Sequence, residues 1–474
     1  MSMNRRTFLF HTSAGMGSML WAACSESQGS DAISSPQSPN GPGGAKTSSD
    51  VIIIGAGIAG LAAAKKLREA GKTVMVLEAR NRTGGRIFTH PTWKDAPVDL
   101  GASWIHGAGD RNPIAQLAHR IGARLANTSY DNAVSFDSNG VKLDDAASAQ
   151  IDSLRSRLKS VLKAAQSADA DQSVQDAVRK GLDYANRSAT DKERIDFLVN
   201  STIEQEYAGE ASRLSTYWYD SDAVYDGEEA IFLDGYQVLI DYLAKGLDIR
   251  LGHEVRAIAY SANAGVTVST GRGDFTARQV VITLPLGVLQ SGSVHFSPAL
   301  PSIKQTAIDK LGMGVLNKCY LRFPTVFWDG DADWIEHTPK SGQYGRWAEW
   351  VSFVRPSGQP ILLGFNAAAF GKQIEAWSDK EIVDSAMAAL RTMYGNNIPN
   401  PTDWSITRWN ADPYSRGSYS CNVLGSTPQM RTDLASNVGG RLFFAGEATE
   451  KQYFQTVHGA YQSGLRAASE ILGA

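Results

Sequence analysis

The stretch from Asp50 to Glu78 constrains this chain more than any other. Asp50-Val51-Ile52-Ile53-Ile54 is a continuous apolar run, the pattern of a strand buried on both faces of a parallel sheet. Gly55-Ala56-Gly57-Ile58-Ala59-Gly60 follows at once, and Leu61 to Leu67 is rich in helix-forming residues. A second apolar run, Thr73-Val74-Met75-Val76-Leu77, ends in Glu78. Each glycine has a physical task. Gly55 turns the chain tightly, Gly57 lets backbone approach a pyrophosphate beside Ala59, and Gly60 lets helix and strand pack closely. The helix start offers free N–H groups to an anion, and Glu78 stands where a carboxylate accepts from ribose hydroxyls. Strand, glycine loop, helix, strand and acid in this order predict a dinucleotide-binding α/β unit.

The continuation narrows the choice of dinucleotide. Glu78-Ala79-Arg80-Asn81-Arg82-Thr83-Gly84-Gly85-Arg86 sets paired glycines and guanidinium groups where a second phosphate-side loop is expected. Asp99-Leu100-Gly101-Ala102-Ser103-Trp104-Ile105-His106-Gly107 has small residues over which a flat ring can lie. Near the C-terminus stand Leu442 to Thr449 and Thr456-Val457-His458-Gly459-Ala460-Tyr461-Gln462-Ser463-Gly464. Taken together, and with Gly252-His253-Glu254-Val255 and Val280 to Leu289, these segments resemble the flavin-containing amine oxidase family from about residue 50 to the end of the chain. The resemblance implies an α/β fold of two domains, a Rossmann-like FAD-binding domain and a substrate domain with a mixed sheet flanked by helices.

It also implies roles for individual residues. Ala79, Arg80, Gly85 and Arg86 run beside the flavin phosphates and ribityl chain; Gly101, Ala102, Ser103 and Trp104 lie under the ring. The Val255 backbone meets the adenine, Glu447 the ribityl chain, and the Thr456-Val457 backbone the flavin pyrimidine, where N–H groups stabilise negative charge. Lys318 matches the lysine that holds a water against the flavin, with a solvent-facing strand lysine as the bland alternative. Tyr419, in the segment from Trp409, matches one aromatic wall before the ring. The residue ahead of it is Ser418 rather than a flavin-linked cysteine, so FAD is expected to be held non-covalently. The second wall falls at Thr456, an incomplete cage for which Tyr453 or Phe454 are the candidate substitutes. Glu206, in Glu204-Gln205-Glu206, and His106 resemble tunnel residues of polyamine oxidases, and Trp409 is counted with them and Thr456 as substrate-binding. A solvated helix face and a core imidazole are the plain alternatives for Glu206 and His106.

The activity so implied is oxidation of a small cationic amine, with a polyamine such as spermidine or spermine expected. Hydride leaves the α-carbon for the flavin, the imine hydrolyses, and oxygen or another acceptor takes up the electrons. Rivals on the same fold are a monoamine oxidase and an L-amino-acid oxidase, the latter needing a guanidinium clamp that Arg213, Arg346 or Arg408 would supply. An envelope electron-transfer flavoprotein is the rival of another class.

The 474 residues allow two or three domains, and a formal net charge of −3 excludes a broad basic footprint, so no nucleic acid partner is expected. Residues 50–120, 235–295 and 405–474 are expected to form the FAD-binding domain, and 121–234 and 296–404 the substrate domain. Apolar residues at Ile151, Leu154, Leu158, Val161 and Leu162 predict a helical lobe over 143–190. No long coiled insertion interrupts the chain. Asn4-Arg5-Arg6-Thr7-Phe8-Leu9 resembles a twin-arginine export signal spanning 1–24, which predicts a periplasmic or envelope protein. The apolar run after it is too short for a transmembrane span. Leu20-Trp21-Ala22-Ala23-Cys24 resembles a lipoprotein cleavage box apart from the bulky Trp21, making Cys24 a candidate lipid anchor, and 25–49 reads as a flexible linker. Three cysteines in no metal spacing predict no metal site. Cys319 and Cys421 are expected as buried free thiols, with a disulfide as the alternative.

Overall fold

A computed structural model describes residues 47–473; the export signal, Cys24 and nearly all of the linker lie outside the described residues. The first strand, Ser48–Ile54, begins two residues before the predicted apolar run and carries Val51 to Ile54 fully buried. It sits between Gly273–Ile282 and Val74–Leu77, parallel to both, at the centre of an eight-stranded sheet. Asp248–Arg250 extends the sheet on one side, and Leu442–Phe444 pairs with the C-terminal half of Gly273–Ile282. The N-terminal half of that long strand turns back through Gly265–Thr270 and Val255–Ser261 as an antiparallel meander.

Two of the helices packed in the core of this sheet bear on the site. Ile58–Glu69 buries its alanine-rich face, and Val457–Leu472 crosses it so closely that a Cβ on Gly464 would stand 2.1 Å from the Ala59 carbonyl. A glycine is required at that crossing. The contact brings the N-termini of the first and last helices to one side of the sheet.

A six-stranded sheet runs Asp403–Ile406, Leu316–Arg322, Ile361–Ala367, Glu349–Ser352, Trp334–His337 and Ala133–Phe136, antiparallel except for the last pair. Asp379–Tyr394 packs on it behind a capping box of Ser378 and Glu381. A three-stranded sheet of Trp104–Ile105, Glu229–Phe232 and Leu125–Thr128 takes strands from both sides of residue 120. The helical lobe is Asp145–Gln166, Val174–Gly181 and Ala189–Val199; Ile151, Leu158 and Leu162 are buried in it, while Leu154 and Val161 are half-buried around it. Cys319 and Cys421 are buried free thiols.

Candidate active site

A cavity of about 390 Å³ runs from the glycine loop, between the eight- and six-stranded sheets, to the helical lobe. At its first end the φ of +103° at Gly55 and the 2.5 Å gap a Cβ there would leave to Thr283 Oγ1 exclude any side chain. A Cβ on Gly60 would lie 2.0 Å from the Gly55 carbonyl, so Gly60 serves packing rather than lining. The Glu78 carboxylate accepts the N–H groups of Ala56 (2.7 Å) and Arg80 (2.8 Å), one on each oxygen, which fixes it in the cavity wall. Gly252 N and His253 N donate to the carbonyls of Arg80 and Glu78, bringing Val255 alongside. Gly84 bonds back to Ala56 through its N–H, laying Gly85 against the loop.

The guanidinium groups of this loop are spent within the protein. Arg80 makes a bidentate pair with Asp412 (2.7 and 2.9 Å) and reaches Ser415, and Arg86 pairs with Glu447 (2.8 Å) and the Ser418 carbonyl. Arg82 lies 3.9 Å over the Phe88 ring. What remains for an anion here is the Arg416 side chain on the cavity wall and the backbone amides at two helix starts, those of Ile58–Glu69 and Val457–Leu472. Thr456 caps the latter: its hydroxyl accepts Gly459 N at 3.0 Å and donates to the Tyr453 carbonyl at 2.7 Å. Glu447 Oε2 accepts Ser420 Oγ (2.6 Å) and Gln455 N (3.1 Å), holding non-glycine Gln455 at a φ of +60°. Burial pushes the Glu447 carboxyl up, but Arg86, Ser420 and Arg431 outweigh it and keep the group below its ordinary range.

At the middle, a Cβ on Gly101 would meet the Arg86 carbonyl at 1.8 Å, so only glycine lets the two backbones stack. Lys318 rises from the six-stranded sheet and donates to the carbonyls of Asp99 (2.8 Å) and Gly101 (2.6 Å) and to Ser103 Oγ. Burial draws its amine down to about 7, and the buried carboxyl of Asp99 opposes that shift only in part. It is buried in the wall, not a solvent-facing lysine, and its three bonds saturate an ammonium. Beside it Trp409 Nε1 donates to the Leu100 carbonyl (3.2 Å).

The far end is built by the lobe and the six-stranded sheet. A π-type turn, Asn200–Glu204, turns Glu204 into the core and leaves Glu206 on the cavity, dividing two acids that share a helical stretch. Tyr419 donates to the Gln205 carbonyl at 2.9 Å, which sets its ring against the cavity. His106 Nδ1 pairs with the buried Glu229 carboxylate, and the imidazole stays a quarter exposed in the wall. The sequence did not single out Asp222, Tyr225, Glu229 or Glu349, nor Tyr130, Trp334 and Phe365, all at this end. Neither candidate for the second wall lies there. Phe454 is fully buried under the Arg431 guanidinium (3.9 Å), and Tyr453 stacks behind Tyr225 with centroids 4.7 Å apart. Tyr225 is the ring of that pair that lines the cavity.

The family model for flavin containing amine oxidoreductases matches residues 58–472. This chain belongs to that family. It is 36% identical over 437 residues to polyamine oxidase 4 of Oryza sativa subsp. japonica, covering 89% of this chain and 88% of that protein. Polyamine oxidase 2 of Arabidopsis thaliana is equally similar, 36% over 449 residues with 89% and 88% covered. The lysine-specific histone demethylase 1 homolog 2 of Arabidopsis thaliana is also 36% identical, over 441 residues, but the match spans 59% of that protein. A solved structure of putrescine oxidase, wild type bound to putrescine, superimposes with a TM-score of 0.74 over 90% of this chain and 99% of that one at 20% identity, showing the shared fold. The enzyme is an FAD-dependent amine oxidase with the two-domain fold of its family. The cavity fits that cofactor: a glycine loop and helix start for phosphate, a fixed carboxylate for ribose, and a second helix start beyond the Gly101 turn.

Proposed function

We propose that this enzyme oxidises a polyamine. One observation carries the reading: the far end of the cavity is lined by Glu206, Asp222 and Glu349, with Tyr130, Trp334 and Phe365 among them, and by none of Arg213, Arg346 and Arg408. Carboxylates and aromatic faces suit a chain of ammonium groups joined by methylenes; an α-carboxylate would need the guanidinium that is elsewhere. Arg408 bonds the carbonyls of Glu375 and Trp377, and Arg346 lies over the Phe370 ring. The longest described helix, Asp145–Gln166, is packed into the lobe rather than forming a tower, which also favours polyamine over histone substrates.

FAD, when bound, supplies the acceptor for the hydride from the amine's α-carbon. The Gly101 turn, anchored by Lys318, forms the floor, and Tyr419, held by Gln205, walls the reacting carbon. Glu206, Asp222 or Glu349 pairs a distal ammonium, so the amine is positioned along the cavity. The net reaction takes amine, water and oxygen to an aldehyde, a shortened amine and hydrogen peroxide. Non-covalent FAD is supported by Ser418, whose hydroxyl is engaged by Leu316 N (2.9 Å) and the Leu316 carbonyl (3.0 Å), and by the absence of either described cysteine from the cavity wall. The twin-arginine motif supports export to the periplasm or envelope, and Cys24 supports a lipid anchor; fractionating cells that express an Arg5→Lys, Arg6→Lys double variant tests the first. Among the described residues no helix is long and apolar enough to cross a membrane. Anaerobic mixing of the yellow protein with spermidine, spermine, benzylamine and L-amino acids tests the substrate. Bleaching by the polyamines supports the reading, bleaching only by amino acids overturns it, and no bleaching by any of them favours an electron-transfer role.

A further inference from the structure

Behind the cavity wall lies a charged residue that neither the glycine loops nor the substrate end accounts for. Arg431, on the helix Pro428–Ala435, is fully buried. Its Nε and Nη2 donate to Asn422 Oδ1 (3.1 and 3.0 Å), its Nη1 to Ser420 Oγ (2.7 Å), and its plane covers the Phe454 ring at 3.9 Å. Asn422 is oriented in turn by donating to the Trp218 carbonyl at 2.8 Å. Burial draws the guanidinium down to about 10, which leaves it cationic at neutral pH. Among the described residues no carboxylate bonds to it.

Ser420 makes this charge relevant to the cavity. An arginine only donates and an ionised carboxylate only accepts, so the serine proton must point to Glu447 Oε2, at 2.6 Å. The chain therefore runs Arg431 to Ser420 to Glu447, whose other oxygen takes Arg86. Two guanidinium groups thus act on one carboxylate, Arg86 directly and Arg431 across Ser420, and the Arg431 charge is countered otherwise by the more distant Asp222 and Glu450. In a water-poor interior such a charge acts over a longer range than in solvent.

We propose that Arg431 is a positioning residue of the cofactor site: through Ser420 it fixes Glu447 and Arg86, and its charge raises the flavin's tendency to accept electrons. A cation beside the cavity stabilises the additional negative charge of the reduced cofactor. The inference rests on FAD occupying the cavity, which the visible spectrum of the parent establishes before variants are compared.

The test uses holoenzyme and the variants Arg431→Met, Arg431→Lys and Ser420→Ala. Arg431→Met removes charge and relay together. Its flavin midpoint potential is expected to fall, and its rate of anaerobic reduction by saturating amine to drop by about tenfold or more. Arg431→Lys keeps the charge, so its potential should lie closer to the parent than to Arg431→Met. A merely structural arginine would lower the melting temperature and leave the potential unmoved. A flavin-replete Arg431→Met with the parent's potential overturns the proposal. Should Arg431→Met fail to fold, Ser420→Ala decides: a lowered potential supports the relay, and an unchanged one sinks it.

Discussion

The amino nitrogen of Lys318 lies 2.6 Å from the carbonyl oxygen of Gly101, and this bond joins the six-stranded sheet to the floor of the cavity. With the Asp99 carbonyl and Ser103 Oγ also engaged, a water can bind that ammonium only by displacing one of three protein acceptors. Lys318 thus has a structural task besides the chemical one its position implies. Lys318→Met removes all three bonds, although the Tyr320 hydroxyl still donates to the Asp99 carbonyl (2.8 Å), and should destabilise the holoenzyme by about 1–3 kcal/mol, with flavin released at lower urea and turnover reduced. Thermal melts with and without added FAD check this; a melt identical to the parent's would show that the anchor carries no stability.

Gly101 gives a sharper outcome. The Cβ of an alanine there would stand 1.8 Å from the Arg86 carbonyl, a backbone contact with no flexible group to give way. Gly101→Ala should fold, if at all, with less than about a tenth of the parent's flavin, since the stacked backbones must part. Gly330→Ala is the control: its Cβ would meet only Val354 and Val326 side-chain atoms at 3.6 and 3.7 Å, and it should stay fully yellow. Absorbance per chain after gel filtration reads both.

The parts of the site that the sequence revealed are those whose requirements are local. Gly55 answers to its own positive φ and Gly60 to the Gly55 carbonyl, and Glu78 is fixed by amides of Ala56 and Arg80 within the same strand–loop–helix–strand stretch and just past it. What stayed hidden depends on residues brought together from afar. Arg80 and Arg86 look poised for phosphate until Asp412 and Glu447 arrive from the C-terminal segments. The sequence did not single out Arg431, because nothing in its own segment announces Ser420, Asn422 and Phe454 around it. Glu204 and Glu206 have the same local pattern, and only the π-type turn decides which of them faces the cavity. The aromatic wall was sought at Tyr453 or Phe454, while the ring that faces inward, Tyr225, comes from an extended segment with no periodicity to mark it.

His337 predicts an acid limb in the stability profile. It is buried at the end of Trp334–His337, and neither ring nitrogen has a hydrogen-bond partner among the described residues. Burial pushes the imidazole down to about 4, with Asp137 opposing and Lys340 adding to the shift. Unfolded, the ring binds its proton near its ordinary 6.5, so the unfolded state holds more protons between these values. Stability should therefore fall as pH drops from about 6.5 towards about 4, by roughly 3 kcal/mol in total from this one group. His337→Leu should flatten that limb, and urea melts at stepped pH compare the two. Equal slopes would mean that water or a rearranged partner satisfies the ring.

Glu349 offers the most direct test of substrate length. It lies on the cavity wall in strand Glu349–Ser352, directly across from Glu336 of the neighbouring strand, and both are buried. On the proposed reading, Glu349 is the carboxylate that pairs with the distal ammonium of the substrate. A polyamine reaches it with its distal nitrogen, whereas a monoamine held at the reacting centre has no second charge to offer. Glu349→Gln should therefore raise KM for spermidine by about tenfold while changing that for benzylamine by less than about twofold, with kcat for both nearly kept. Glu206→Gln run in parallel tells which acid reads the distal charge. Thermal shift supplies an independent reading, because spermidine should stabilise the parent more than Glu349→Gln under anaerobic conditions. Equal losses for spermidine and benzylamine would assign Glu349 to the shape of the cavity instead of to recognition of the second ammonium.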